Sequence, residues 1–220
     1  MVHRQLYMQQ KYPLALFTHC RSHALNLAIA KSCSVQEIRN MIDVINETFI
    51  FFIQSPKRQR FFEYTLDAFA PETRVQKLKG LCKTRWVERH DCLETFQSLY
   101  LYIFACFDAI IQPQCYPSVY ELSAESDWNW DTNTKTKAIG LLNSLKCGKN
   151  IVALVILVNS LDYVKGIAFK LQKRNLDVVV AYKLIGSAIE DIKGVRKNFD
   201  EMWNKWYSAA EIIAIDVGEE

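Results

Sequence analysis

Residues 86–111 read WVERHDCLETFQSLYLYIFACFDAII, and they decide the class of fold. Apolar side chains recur three and four positions apart along this stretch, which is the spacing of one face of an α-helix. Neither glycine nor proline interrupts the pattern before Pro113, and a proline there would end a helix. The stretch therefore predicts one long helix from Arg85 to just before Pro113.

The segments upstream carry the same spacing. Ser34 and Glu37 have the spacing of a capping box, ahead of a predicted helix that reaches about residue 54. Ser55 and Pro56 are typical of the cap and first turn of a second helix, which is predicted to end near residue 69. Before the first of these helices, the apolar residues of segment 14–17 predict a short strand.

Downstream, residues 113–131 contain two prolines and the polar stretch ESDWNWD, which predict a loop or hinge. Three further helices are predicted, at about 132–146, 149–174 and 176–209. The apolar run Ile151–Val158 is far shorter than the roughly 20 residues of a spanning helix, so it predicts a buried core helix and no membrane partner. The predicted fold class is mainly α.

Composition bounds the function. With 220 residues, half of them hydrophobic, the chain can bury a core. Seven cysteines are an odd number, and polar residues occupy the N-terminal positions where a signal peptide would be apolar, so we expect reduced thiols in a nuclear or cytoplasmic protein that is not secreted. The net charge is only +3, so any contact with nucleic acid must come from a local basic patch.

A zinc site is the first candidate, because Cys20, His23 and Cys33 have the spacing C-x2-H-x9-C. A structural zinc ion takes four ligands in two close pairs, and the second pair is absent. His90 and Cys92 are separated by one residue, and side chains with this separation on a helix point in different directions. We expect the chain to bind no stoichiometric zinc, because the fourth ligand is missing, and no cofactor.

A nucleophilic cysteine is the second candidate, since His19 lies beside Cys20. Residues adjacent in sequence rarely form a catalytic dyad. Packing is the alternative, in which Cys20 is buried as a small apolar side chain and His23 lines the start of the following helix. The acids fall on polar faces of predicted long helices and form no evident catalytic pair: Asp91, Glu94, Asp108, Glu190, Asp191, Asp200 and Glu201.

Residues 74–90, RVQKLKGLCKTRWVERH, form what we call the basic segment. They hold six basic residues and one acid, a local charge of +5. Trp86 lies among the cations, and an aromatic face in a basic patch can stack on an exposed base while the cations hold phosphates. The alternative is a solvated loop followed by a helix whose Trp86 packs inward.

Two motifs together, HCRSHALNLAIAKSC and LCKTRWVERHDCLETF, resemble hAT-superfamily transposases and the host proteins derived from them, among them the MYM-type zinc finger proteins. In that family an HCxxHxLNL stretch follows the second catalytic acid, and a TRW element opens a long helix of the insertion domain. The weaker stretch LDVVVAYKLIGSAIEDIK continues the resemblance. It covers nearly the whole chain.

The resemblance implies a ribonuclease-H-like core interrupted by a helical insertion domain, with an Asp, Asp, Glu triad that holds two divalent metals. It places His19, Cys20 and His23 near the former active site. It assigns DNA contacts to Arg85 and Trp86, and the neighbouring cations Lys79, Lys83 and Arg89 extend that surface. Residues 1–33 would be a remnant of the core, strand plus helix, and residues 34–220 the insertion domain.

The catalytic acids of the family find no match here. No Asp precedes His19, and the family's glutamate follows a dimerisation region that is not found before Glu220. Two-metal chemistry requires such carboxylates, so we expect no enzyme activity of this chain alone. We expect a truncated or domesticated transposase-like protein that binds DNA weakly and nonspecifically. The alternatives are a helical module that binds itself or another protein, and a fragment of an active transposase.

Overall fold

The computed structural model describes residues 11–12, 31, 34–72, 77–81, 86–121, 128–171 and 177–218, with the side chains of residues 86–89 and 178 left out. The predicted strand at 14–17 and nearly all of the predicted core remnant, residues 1–33, lie outside these ranges. Every regular element in the described part is helical, which confirms the mainly α fold class.

The helices begin with α1 (Gln36–Ile53) and α2 (Pro56–Phe69), followed by α3 (Trp86–Ser98) and α4 (Tyr100–Ile111). A 3-10 turn (Pro113–Cys115) and the short α5 (Pro117–Glu121) lead to the second half of the bundle. That half consists of α6 (Thr132–Lys146), α7 (Gly148–Leu171), α8 (Val178–Lys197) and α9 (Phe199–Asp216).

Helix α7 is the centre of the bundle, because it packs against α1, α3, α6, α8 and α9. By length and composition alone it could cross a membrane. In the fold, however, Ile151, Leu154 and Val155 are completely buried among the other helices. The predicted buried core helix is confirmed.

Aromatic side chains fill the space between α1, α2 and α4. Phe107 of α4 is fully buried and stacks on Phe52, with ring centroids 5.4 Å apart, while its edge meets Phe51 at 5.2 Å. Phe52 continues the contact to Phe62 of α2 at 4.8 Å. On the far side of α4, the Tyr100 hydroxyl donates a hydrogen bond to the Leu145 carbonyl at 2.7 Å, which ties α4 to α6.

Residues 128–130 also belong to this core. Trp128 and Trp130 are buried, and their rings lie 5.0 and 5.1 Å from that of Phe61. Trp130 Nε1 donates to the Tyr120 hydroxyl, which in turn donates to the Ala109 carbonyl at 2.7 Å. The end of the segment predicted as a loop or hinge is therefore packed against α2 and α5, and Tyr120 connects it to α4.

Three details of the predicted helices are wrong. The capping box does not form: α1 begins at Gln36, Val35 is its N-cap, and no side chain caps it, since Ser34 lies one position too early. The long helix predicted over 85–112 is interrupted at Leu99. There the Thr95 carbonyl accepts both the Leu99 N–H and the Ser98 hydroxyl, and such side-chain competition bends helices.

The helix predicted over 176–209 is likewise divided at Asn198 into α8 and α9, and α9 continues to Asp216. Asn198 has φ −106° and ψ 34°, outside the helical range. Asparagine often leaves the helical conformation because its side chain competes for backbone hydrogen bonds. In contrast, the predicted start of α2 is confirmed, because the Ser55 hydroxyl accepts from the Arg58 N–H at 3.4 Å and Pro56 occupies the first turn.

Removing this cap gives a measurable prediction. Ser55→Ala should lower the free energy of unfolding by about 0.5–1 kcal/mol, because one N–H of the first turn of α2 loses its acceptor. Urea denaturation measures the difference. Ser55→Asn is the matched control, since asparagine caps as well as serine does, and an equal loss in both variants would show that the cap contributes nothing.

Candidate functional site

The residues predicted to lie near a former active site, His19, Cys20 and His23, fall outside the described residues. The same holds for Lys83 and Arg85 of the basic segment. The backbone of Trp86 and Arg89 is described and lies in the first turn of α3. Of the predicted DNA contacts, only the side chain of Lys79 is placed, and it is exposed.

The described start of the basic segment, residues 77–81, is held against the core. The Cys92 thiol of α3 donates to the Lys79 carbonyl at 2.8 Å, and Leu78 and Leu81 pack on the core. Gly80 lies so close to α1 that an added Cβ would stand 2.9 Å from Cζ of Phe49. Residues 77–81 are thus held in place while the side chains of Lys77 and Lys79 face solvent.

A polar cluster lies one turn further along α3, where this helix packs against α7. His90 is 1% exposed, and neither of its ring nitrogens makes a hydrogen bond. Nδ1 lies 3.3 Å from Oε2 of Glu94, one turn along the same helix. Nε2 lies 3.6 Å from Oδ1 of Asp162 on α7. A buried imidazole therefore stands between two carboxylates that come from different helices.

Lys165 of α7 completes the cluster. Its ammonium lies 2.6 Å from Oε2 of Glu94 and 3.0 Å from Oδ1 of Asp91. The hydrogen bond to Glu94, and then that to Asp91, raises the pKa of the Lys165 ammonium. The ammonium is only one-third exposed, so it is screened less than a free surface lysine would be.

Sequence reasoning placed Asp91 and Glu94 on a solvated helix face and missed this cluster. The separation of four residues between His90 and Glu94 was a usable signal, because such residues are neighbours on a helix. The packing of α3 against α7, which brings Asp162 and Lys165 from about 70 residues away, carries no local signal. Cys92, considered as a zinc partner of His90, instead bonds to the Lys79 carbonyl.

Comparison with known proteins finds two curated relatives. The chain is 26% identical over 207 residues to the 52 kDa repressor of the inhibitor of the protein kinase of Mus musculus, and 25% identical over 207 residues to the Homo sapiens protein of that name. In each case the match covers 93% of this chain and 26% of the relative. No family model matches the chain, and no solved structure matches it significantly.

This similarity confirms the resemblance to hAT-transposase-derived proteins that the two motifs indicated. The chain spans about a quarter of the length of the relatives that it matches. The similarity to MYM-type zinc finger proteins stays a prediction.

Proposed function

We propose that this chain is a domesticated hAT-transposase-like helical protein that binds DNA weakly and nonspecifically through Lys79, Lys83, Arg85, Trp86 and Arg89. The observation that carries the proposal is the basic segment itself, which holds a local charge of +5 in a chain whose net charge is only +3. The basic segment therefore carries more net positive charge than the chain as a whole, and such a charge attracts phosphates.

The fold supports this use of the segment in two ways. Residues 77–81 are fixed to α1 and α3, so the cations that follow start from a defined position. Trp86 and Arg89 lie within one turn of the same helix, α3, so one element carries both. Cations beside an aromatic residue are the parts that a single-strand binding surface combines.

The proposed protein is not an enzyme by itself. No Asp precedes the HCRSH motif within this chain, so the carboxylates that hold a catalytic metal pair would have to come from elsewhere. We place its action in the nucleus or the cytoplasm, where its cysteines stay reduced.

The test is the affinity for labelled single-stranded and hairpin DNA, measured by fluorescence anisotropy across a salt series. Four phosphate contacts predict a slope of about −3 in the logarithm of the association constant against that of the salt concentration. Trp86→Ala should weaken binding by about 1–3 kcal/mol, the worth of a stacked base, with helical content and stability unchanged.

Trp203→Ala is the matched control, because Trp203 is a partly exposed tryptophan of α9, where it lies between Phe199 and Tyr207. It should leave DNA affinity unchanged. If Trp86 instead packs inward, its replacement should lower stability by about 3–5 kcal/mol without a specific effect on DNA. Lost stability with unaltered DNA affinity would refute the proposed role of Trp86.

A second candidate function, binding to itself or to another protein, is favoured by the surface of the last two helices. Large apolar side chains are exposed there, and the most exposed are Val179, Tyr182, Ile212 and Ile215. Where exposed apolar side chains form a contiguous patch, that patch marks an interaction surface. Concentration-dependent sedimentation, in a protein that does not bind DNA, would favour this candidate over the first.

A further inference from the structure

The cluster around His90 has a feature that packing alone does not account for. Buried polar groups are normally hydrogen-bonded, yet both nitrogens of this imidazole lack a hydrogen bond although carboxylates lie within 3.6 Å. Both ring nitrogens thus face carboxylate oxygens without being hydrogen-bonded to them. An ion between Nδ1 and the Glu94 carboxylate would remove the deficit at Nδ1, with Nε2 left facing Asp162.

We infer that His90, Asp91 and Glu94 form a binding site for one divalent cation of the zinc class, with Lys165 as the counterion that the metal displaces. The possible ligand atoms of these three residues all lie within 4.8 Å of one another. One imidazole and two carboxylates are a set that zinc accepts, and three protein ligands leave a position for water.

The distance between His90 and Glu94 fits a metal better than a hydrogen bond. Two ligand atoms bonded to the same zinc ion at about 2.1 Å, in tetrahedral geometry, lie roughly 3.4 Å apart. Nδ1 of His90 and Oε2 of Glu94 are separated by 3.3 Å. These two atoms therefore need almost no movement to share one ion, and Asp91, on the same helix, is left to complete the set.

The surroundings of the imidazole fit as well. A histidine that binds metal usually donates its second ring N–H to a carboxylate, which fixes the orientation of the ring. Asp162 stands at that second nitrogen, 3.6 Å from Nε2. Asp162 is accordingly a positioning residue, and it comes from α7, so the metal would join α3 to the central helix.

Lys165 already shows where the cluster holds a positive charge. Its ammonium lies between the Asp91 and Glu94 carboxylates, so a cation at this point is electrostatically favoured. The side chain is one-third exposed and can move into solvent when a metal enters. A divalent ion offers these two carboxylates twice the charge of the ammonium and also engages the imidazole, which the ammonium does not.

This proposal departs from the expectation that the chain binds no stoichiometric zinc, which rested on Cys20, His23 and Cys33 and not on these residues. Any experiment must nevertheless distinguish metal binding at this site from metal binding by thiols, because the chain has seven cysteines. Burial raises the pKa of the Cys106 thiol to about 12, which keeps it out of metal binding near neutral pH. Cobalt distinguishes the other thiols, since a thiolate ligand gives a strong charge-transfer absorption that nitrogen and oxygen ligands lack.

The experiment is a competition titration of the full chain, first freed of metal by a chelator, with zinc chloride and then with cobalt chloride. We expect one zinc per chain and a cobalt spectrum without thiolate absorption. Glu94→Gln and Asp91→Asn alter exposed side chains and should weaken zinc binding more than about 100-fold, and Asp162→Asn about 10- to 100-fold. Lys165→Gln should tighten binding at least about 10-fold, because the competing charge is gone.

Glu190→Gln is the matched control, since Glu190 forms an exposed ion pair with Lys193 at 2.8 Å on α8. This variant and Cys20→Ser should bind zinc as the unaltered chain does. The proposal is overturned if the unaltered chain binds no zinc, if Glu94→Gln binds it equally well, or if Cys20→Ser abolishes binding. Far-UV circular dichroism of each variant separates a lost site from a lost fold.

Discussion

Phe107→Ala should lower the free energy of unfolding by about 3–5 kcal/mol, the usual loss when a buried phenylalanine is truncated. Phe107 is fully buried on α4, and its ring touches both Phe51 and Phe52 of α1. Truncation removes apolar contact and two aromatic pairs, and it leaves a cavity where two helices meet. In thermal unfolding, a loss of this size corresponds to roughly 6–20 °C for a chain of this length.

Phe169→Ala is the matched control for Phe107. Phe169 lies on α7 but is 65% exposed, so its truncation should change stability by less than about 0.5 kcal/mol. Urea denaturation of both variants gives the comparison, with the slope of the transition showing whether the unfolded reference has changed. A similar loss in both would mean that the α1–α4 contact is not part of the stable core.

The parts of this fold that could be predicted from sequence are those recorded in local spacing. The helical face within residues 90–111 and the apolar run at Ile151–Val158 both follow from side chains three and four apart, and most of their apolar side chains are buried as expected. The cap at Ser55 is also a local signal, because it needs only a hydroxyl and a proline side by side. Each of these features depends on residues within one or two turns.

The interruptions of the helices are decided by weaker effects. Leu99 and Asn198 stand inside patterns that continue on both sides, so periodicity alone predicts unbroken helices there. The break at Leu99 coincides with a serine hydroxyl that takes a backbone carbonyl, an interaction of modest energy. A free-energy difference this small leaves no trace in an apolar pattern that extends over seven turns, so the pattern does not predict the break.

The cluster around His90 was missed for a different reason. Its residues come from α3 and α7, and only the packing of these helices brings Asp162 and Lys165 to His90. From the sequence alone, Asp91 and Glu94 cannot be distinguished from solvated surface acids. What marks them is the buried imidazole beside them, and burial of a single histidine cannot be read from spacing.

Residues 128–130 lie outside any helix, as the composition predicted, but their burial was not predicted. The stretch ESDWNWD is polar and lies in a segment with two prolines, so it predicted a loop or hinge. In the fold, its two tryptophans are buried against Phe61, and their rings lie 5.9 Å apart. Lys57 contacts the backbone between the two tryptophans, because its ammonium donates a hydrogen bond to the Asn129 carbonyl at 2.8 Å. Asn129 and Asp131 are exposed, while the two tryptophans supply apolar area that outweighs these polar residues.

Trp128→Ala tests whether this segment stabilises the core. We expect the free energy of unfolding to fall by about 3–5 kcal/mol, because the indole is 9% exposed and its ring meets Phe61, Tyr64 and Trp130. Trp128→Phe keeps part of these contacts and should lose clearly less. Trp203→Ala, at a partly exposed position of α9, should lower the free energy of unfolding by less than about 1 kcal/mol.

A hinge would behave otherwise: Trp128→Ala would then lower the free energy of unfolding no more than Trp203→Ala does, and proteases would cut near residue 128 in the unaltered chain. The difference between the two tryptophan variants in urea denaturation therefore measures how far a segment without helical periodicity contributes to holding α2, α4 and α5 together.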